Sequence, residues 1–147
     1  MLVATSLLFL VADALSPGLA PLDRYSGHCW SAPLSKDAVD RHCFTPVFDG
    51  KHLRDVHIVT SGGRPVYSGE TIFSVEAGRI VFTYWNSLGG VGRGTLSLSG
   101  EDLAFVLVMR ATPDAAPRTV DSSWRRTATG YDVISGGDVR HFTLDDR

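Results

Sequence analysis

Two copies of a histidine–cysteine pair lie near the start of the chain, at His28-Cys29 and His42-Cys43. Thiolates and imidazoles are both good zinc ligands, so a metal site is the first chemistry that these residues suggest. Neighbouring residues of a β-strand point to opposite faces, so the two cysteines and two histidines cannot meet at one ion unless both strands break. We therefore predict no metal site and no resident cofactor.

A disulfide is the better prediction for the cysteines. Residue 36 lies midway between Cys29 and Cys43, within a polar stretch, so a hairpin that turns there places the cysteines opposite each other. Opposed Cα atoms are about 4.5 to 5.5 Å apart, which a disulfide tolerates, and closing a loop of about 15 residues contributes roughly 3 kcal/mol. Two buried free thiols are the alternative. A disulfide would leave neither thiol for catalysis with a histidine.

Several ionisable side chains could do acid–base chemistry. Asp55 and His57 are two residues apart, so in a strand they share a face and the carboxylate could orient the imidazole for proton transfer. Glu70 and Arg126 could form a buried pair with a purely structural role. No Gly-x-Ser-x-Gly elbow supplies a nucleophile, so an enzyme would use His57 or Glu70 as general acid or base. Each of these residues could equally be a solvated residue of the outer face.

These residues fall in short runs rich in Val, Ile, Phe, Tyr, Trp and Thr, and helical periodicity is nearly absent. The runs are separated by clusters of Gly, Pro, Asp and Ser, which suit tight turns. A content of 15 Gly and 7 Pro fits a chain of many short elements. We predict ten strands, at residues 27–33, 38–48, 52–60, 66–75, 79–87, 92–98, 103–110, 118–127, 130–135 and 139–144.

Short connections between the predicted strands favour an antiparallel meander in which consecutive strands pair. Alternation places Ile80, Phe82 and Tyr84 on one face of their strand. Closing the meander removes its two exposed edges. We therefore predict an all-β, up-and-down meander β-barrel of about ten strands. A short helix within residues 18–26 would plug one end, and a two-sheet sandwich is the alternative architecture.

The first residues of the chain are typical of an export signal. Residues 2–12 form an uncharged apolar run of eleven, which is too short to span a bilayer, where about 20 residues are needed. Small residues follow at 12–14 and at 18–20, as at signal cleavage sites. We predict a signal peptide at 1–20, a mature domain at 21–147, a periplasmic or secreted location and no stable membrane span. An N-terminal helix packed on the domain is the alternative.

Composition limits the classes of partner. A chain of 147 residues with 44% hydrophobic and 20% charged residues suits one globular domain. The formal net charge is −2 and the sequence pI is about 6.2, so the basic field that binds phosphate backbones is missing. We therefore expect no nucleic-acid partner. The expected oligomeric state is a monomer or a weak dimer.

Several short motifs together carry a resemblance to a known family. They are Leu19-Ala20-Pro21-Leu22, Gly27-His28-Cys29-Trp30, Arg54-Asp55-Val56-His57, Tyr67-Ser68-Gly69-Glu70-Thr71, Phe82-Thr83-Tyr84-Trp85-Asn86-Ser87 and Gly92-Arg93-Gly94-Thr95. Across most of residues 19–127 the chain resembles the bacterial secreted lipocalin-like proteins of uncharacterised function, in the calycin superfamily. The resemblance implies a meander β-barrel with an internal cavity for a small, mostly apolar ligand. It implies no established reaction.

A second resemblance concerns architecture alone. The ten-stranded haem barrels of the nitrobindin type take their iron ligand from a histidine near the C-terminus, and His141 occupies a comparable place. The Gly-rich first strand of those barrels is absent here. A histidine on a terminal strand is more often structural or exposed, so haem binding is only an alternative.

A barrel of this size would bind one ligand through apolar walls and a few polar groups that fix its orientation. The candidate ligand-binding residues are Trp30, His57, Glu70, Tyr84, Asn86, Arg93 and Trp124. Our first hypothesis is an exported protein that binds a small hydrophobic molecule in a cavity of a few hundred Å³. The alternatives are an enzyme that uses the same cavity and a structural module whose interior is filled by side chains.

Overall fold

The structure, a computed structural model, describes residues 14–146. Ten antiparallel strands pair in chain order and close into a barrel, because the first strand also pairs with the last. A 3-10 helix at Pro17–Leu22 precedes them. The strands are β1 Cys29–Pro33, β2 Ala38–Val47, β3 His52–Ser61, β4 Arg64–Glu76, β5 Arg79–Asn86, β6 Val91–Ser99, β7 Asp102–Arg110, β8 Arg118–Arg126, β9 Gly130–Ser135 and β10 Asp138–Leu144.

The predicted fold class is confirmed, and the sandwich alternative is wrong. Every observed strand overlaps one predicted run, and no strand end differs from its prediction by more than two residues. Closure depends on a short ladder in which Trp30 of β1 lies opposite Leu144 of β10 and Ser31 opposite Thr143. The meander closes because every connection is a turn or short loop, which leaves each strand beside its sequence neighbours.

The β1–β2 hairpin fixes which residues enter the barrel. Cys29 lies opposite Cys43, as predicted from their midpoint, and the two form a disulfide with a Cα–Cα distance of 4.0 Å. The free-thiol alternative is therefore wrong. The next pair in the ladder is Trp30 opposite His42. Trp30 is buried, so the alternation of the strand directs the disulfide to the outside and His42 to the inside.

The segment before β1 packs into one end of the barrel. Leu19 and Leu22 of the 3-10 helix are completely buried, and Tyr25 is 2% exposed. The Ser16 N–H donates a hydrogen bond to the Gly50 carbonyl in the loop between β2 and β3. Tyr25 contacts four aromatic rings of the interior, namely Trp30, Phe44, Trp124 and Tyr131. The predicted plug within residues 18–26 is thus present, mainly as a 3-10 helix that begins one residue earlier.

The predicted export signal overlaps this plug. Residues 1–13 of the expected signal peptide lie outside the described residues, whereas residues 14–20 are described. Because Leu19 belongs to the core, a mature chain that begins at residue 21 would lose this side chain, and one that begins at residue 15 would keep it. Within residues 14–146, no helix has the length and apolar character needed to cross a membrane.

We expect Gly94→Ala to destabilise the barrel by about 1 to 3 kcal/mol through overpacking. A Cβ at Gly94 would lie 2.4 Å from Cζ of Phe82 and 2.4 Å from the Val106 carbonyl oxygen, so the strand or the ring must shift. Urea unfolding measures the change in free energy. Ser97→Ala, an exposed small-residue change on the same strand, is the matched control. Equal stability of Gly94→Ala and the wild type would contradict this account of β6.

We also expect the protein to lose stability between pH 10 and pH 12. Burial raises the pKa of Tyr25 to about 12, partly opposed by Arg24 and Arg126. The unfolded chain releases the phenolic proton near pH 10, so the contribution of Tyr25 is complete below pH 10 and falls as pH rises towards 12, by up to about 3 kcal/mol. Tyr25→Phe should therefore flatten the dependence of the unfolding free energy on pH. Identical slopes for variant and wild type would refute this role.

Candidate functional site

A cavity of about 140 Å³ lies within the barrel. It is smaller than the few hundred Å³ that we predicted, because large aromatic side chains from several strands fill the rest of the interior. A comparable cavity of about 150 Å³ with an apolar lining is known to hold one benzene molecule. The residues that line the cavity are His42, Asp55, Thr71, Phe73, Phe82, Tyr84, Phe105, Leu107, Val120, Ser122 and Trp124.

Aromatic rings form the apolar wall of the cavity. The Phe105 and Trp124 ring centroids are 4.6 Å apart, and the Phe82 ring lies 5.9 Å from Phe105 and 5.5 Å from Phe73. These separations are those of favourable offset and edge-to-face contacts. The four rings support one another, so their positions are set by packing within the barrel and do not require a ligand.

The polar end of the cavity is built around Asp55. This side chain is only 3% exposed, on strand β3, opposite Phe44. One carboxylate oxygen, Oδ2, accepts a hydrogen bond from Nδ1 of His42 at 2.7 Å. The other oxygen, Oδ1, is buried and has no hydrogen-bond partner among the described residues. A buried acceptor without a donor is costly, so this atom points to a missing partner.

Asp40 is a second buried carboxylate on the opposite side of the His42 ring. Its Oδ2 lies 3.5 Å from Nε2 of His42, and its Oδ1 lies 3.2 Å from Nδ1 of His57. The two imidazole rings stack with their centroids 4.6 Å apart. The ladder explains this arrangement, because His42 of β2 lies directly opposite His57 of β3. Two aspartates and two histidines therefore form one compact cluster.

Two tyrosines extend the cluster beyond His57. The Tyr84 hydroxyl lies 3.4 Å from Nε2 of His57 and contacts the hydroxyl of Tyr67. With the His57 proton on Nδ1, the imidazole donates to Asp40 and accepts from Tyr84. Gly69 lies opposite His57 in the ladder, and a Cβ there would be 2.3 Å from Nε2 of His57. Glycine at this position therefore leaves room for the imidazole.

The carboxylates set the charge of the cluster. Burial lowers the pKa of His42, but the carboxylates of Asp55 and Asp40 outweigh burial and raise this pKa to about 10. Burial opposes ionisation of Asp40, yet hydrogen bonds from His42 and His57 hold its pKa well below the usual range. Burial, followed by the contact with Tyr67, raises the pKa of Tyr84. At neutral pH the cluster thus holds an imidazolium between two carboxylates and a protonated phenol.

The structure divides the predicted ligand-binding residues into several groups. Tyr84 and Trp124 line the cavity. His57 is not among the lining residues, but its Nε2 faces the hydroxyl of Tyr84. Trp30 is buried beside Tyr25, at the end of the barrel that the 3-10 helix occupies. Asn86 holds the turn after β5, because its Oδ1 accepts from the N–H groups of residues 88 and 90 and its Nδ2 donates to the carbonyl of residue 111.

Glu70 and Arg93 do not line the interior. Glu70 lies on the outer face of β4, where Arg54 donates two hydrogen bonds to it at 2.8 and 2.9 Å. This pair replaces the buried pair that we predicted between Glu70 and Arg126, and Arg126 is exposed. Arg93 is exposed on β6, whose inner face is formed there by Gly92 and Gly94. Glu70 points outward because side chains alternate along β4. Tyr67 and Phe73 point inward, so the even-numbered positions of this strand lie outside.

The structure also corrects two predictions about His57 and His141. Asp55 was expected to orient His57, but its carboxylate binds His42, and Asp40 takes its place beside His57. His141 lies on the outside, where its Nδ1 is 2.6 Å from Asp132, so it cannot bind haem iron inside the barrel.

The sequence interpretation missed Asp40 and His42. Both residues lie on β2 and share its inner face with the core residue Phe44. The signal was present, because an outward Cys43 places its strand neighbours His42 and Phe44 inward, and Asp40 shares their face. Zinc at the two His-Cys pairs was considered instead, and the expected alternation holds for His42 and Cys43 but not for His28, which precedes β1. His28 pairs with Asp146 on the surface, while His42 is inside.

No protein-family model, no curated protein and no solved structure matches this chain. The closed ten-strand barrel, with the cavity and the polar cluster inside it, is therefore the feature of the molecule that bears on function.

Proposed function

We propose that this protein is an exported binding protein with a lipocalin-like barrel, and that its ligand is a small single-ring molecule carrying one N–H or O–H donor. The observation that carries this proposal is Asp55, a residue that lines a mainly apolar cavity and whose buried Oδ1 has no hydrogen-bond partner among the described residues. A ligand that fills the cavity and donates to this oxygen would remove the cost of a buried acceptor without a donor.

The size of the cavity sets the size of the ligand. A volume of about 140 Å³ suits one aromatic ring and is below the roughly 300 to 1,000 Å³ typical of sites for drug-sized molecules. The molecular volumes of fatty acids and haem exceed the volume of this cavity. The ring would lie among Phe73, Phe82, Phe105 and Trp124, which offer faces and edges for aromatic contacts.

The charges at the polar end favour a donor over an acceptor. Asp55 and Asp40 carry two negative charges against the one positive charge of His42. A ligand carboxylate would meet the unpartnered oxygen of Asp55 and be repelled. A phenol or an amine would instead form a hydrogen bond to a charged acceptor, which contributes about 1.5 to 3 kcal/mol.

Two observations support export and a calycin-type assignment. The Cys29–Cys43 disulfide suits an oxidising compartment, and an apolar run of eleven residues precedes the barrel. A closed antiparallel meander that surrounds one ligand is the architecture of lipocalins. Membership of that family is defined by sequence, and fold alone does not determine function. The proposed acid–base pair of His57 and Glu70 has less support, because Glu70 lies outside the barrel.

The test compares three probes of similar size: phenol, benzene and benzoate. We expect phenol to bind most tightly, benzene to bind more weakly and benzoate not to bind, measured by isothermal titration calorimetry near pH 7. Asp55→Asn removes the charge and keeps the shape, so it should weaken phenol binding about tenfold or more and leave benzene binding nearly unchanged.

Asp132→Asn is the matched control, because Asp132 is a carboxylate bonded to a histidine on the outside of the barrel. Its affinity for phenol should equal that of the wild type. Benzoate binding as tightly as phenol, or no binding of any probe to the wild type, would overturn the proposal.

A further inference from the structure

We propose that Asp40, His42 and His57 form a binding site for a divalent transition-metal ion, with Zn²⁺ the best fit. Each of the three residues offers one ligand atom, and these atoms lie within 4.8 Å of one another. The nitrogens that face the Asp40 carboxylate are Nε2 of His42 and Nδ1 of His57. Two imidazole nitrogens and one carboxylate oxygen are a ligand set that proteins use for zinc, with a fourth position left for water or another molecule. His42 also lines the aromatic cavity, but the proposed organic ligand uses none of these three ligand atoms, so the metal site does not rest on the proposed function.

The contacts of Asp40 with the two imidazoles are longer than the usual hydrogen bond of a charged pair. His57 Nδ1 lies 3.2 Å from Oδ1 of Asp40, and His42 Nε2 lies 3.5 Å from Oδ2. A hydrogen bond between an imidazolium and a carboxylate is normally about 2.7 to 2.9 Å long. Ligands at about 2.05 Å around a tetrahedral zinc ion lie roughly 3.3 Å apart. The two observed distances are close to this value but run to different oxygens of Asp40, so an ion bound by one oxygen requires a small rotation of the carboxylate. On its other side His42 does make a bond of ordinary length, 2.7 Å to Asp55.

Both histidines already have partners at the nitrogen that would not bind the metal. Nδ1 of His42 donates to Asp55, and Nε2 of His57 faces the hydroxyl of Tyr84. Histidines that bind metals almost always use their second nitrogen in this way, because the outer partner fixes the ring orientation and the tautomer. For His42 the partner is a carboxylate, which also makes the imidazole a better donor to the metal.

Charge and surroundings favour a dication at this point. Asp40 and Asp55 bring two negative charges into a low-dielectric interior, and a divalent ion that displaces the Nε2 proton of His42 to solvent balances both. The side chains of Asp40, His57 and His42 are 6%, 12% and 16% exposed, so few waters compete for the ion. The cysteines are joined in a disulfide, which leaves nitrogen and oxygen as the ligand atoms.

The experiment measures Zn²⁺ binding to the purified chain after treatment with a chelator, by competition with a chromophoric zinc indicator. We expect one ion per chain and a rise in Tm on zinc addition. Asp40→Asn and His57→Gln should each weaken the affinity at least tenfold. Asp55→Asn, which replaces the carboxylate beside His42 with a neutral amide and touches no ligand atom, should weaken it about 10- to 100-fold.

The matched control is His52→Gln, because His52 is on the same strand as His57 and hydrogen-bonds Ser74 outside the cluster. Its zinc affinity should equal that of the wild type. Near-UV circular dichroism identifies any variant that fails to fold. Zinc binding that survives in both folded ligand variants, or falls equally in His52→Gln, would show that the ion binds elsewhere and would overturn the proposal.

Substitution of Co²⁺ in the wild type tests the geometry without any mutation. We expect the strong visible absorption of a four-coordinate cobalt ion with nitrogen and oxygen ligands. The weak absorption of a six-coordinate or free ion would contradict a buried site with three protein ligands. Wild-type protein that binds neither Zn²⁺ nor Co²⁺ would refute the assignment outright.

Discussion

The burial of two carboxylates inside an apolar barrel is the constraint on which the rest of the interior depends. Asp40 and Asp55 are each at most 5% exposed, and an isolated buried carboxylate would cost several kcal/mol. His42 lies between them and supplies the compensating charge. The aspartates in turn keep this imidazole protonated, with a pKa of about 10, against the opposing effect of burial. Burial of any one of these three charged side chains without the others would be unfavourable, so Asp40, His42 and Asp55 form one electrostatic unit.

The covalent and hydrogen-bonded framework places this unit. The disulfide and the β1–β2 ladder direct His42 inward, and the β2–β3 ladder sets His57 opposite His42. A slip of one residue between β2 and β3 would move the whole polar set to the other face. The closed barrel resists such a slip, because β2 and β3 each have a second neighbour, and β1 is itself held by β10.

The fold could be predicted from the sequence because its signals are local. Alternating apolar residues and Gly-rich turns determine each strand, and short connections leave few ways to pair them. The site could be predicted only in part. Tyr84 and Trp124 lie on strands with one clearly apolar face, whereas β4 carries Ile72 outside and Phe73 inside, so alternation did not show where Glu70 points. Arg93 was equally ambiguous, because the inner positions beside it are glycines without a hydrophobic side chain.

The volume of the cavity has no local signal, and this explains why it was overestimated. It is the space that remains after rings from several strands have packed together, so it depends on contacts such as Phe105 with Trp124, from two different strands. The same packing explains why the polar unit can persist. Replacement of a buried charged set by well-packed apolar residues is often neutral or stabilising, so such a set adds little stability. Its unpartnered oxygen and the long contacts of Asp40 leave hydrogen-bonding capacity unused among the described residues, and this unused capacity is the physical basis of both proposals.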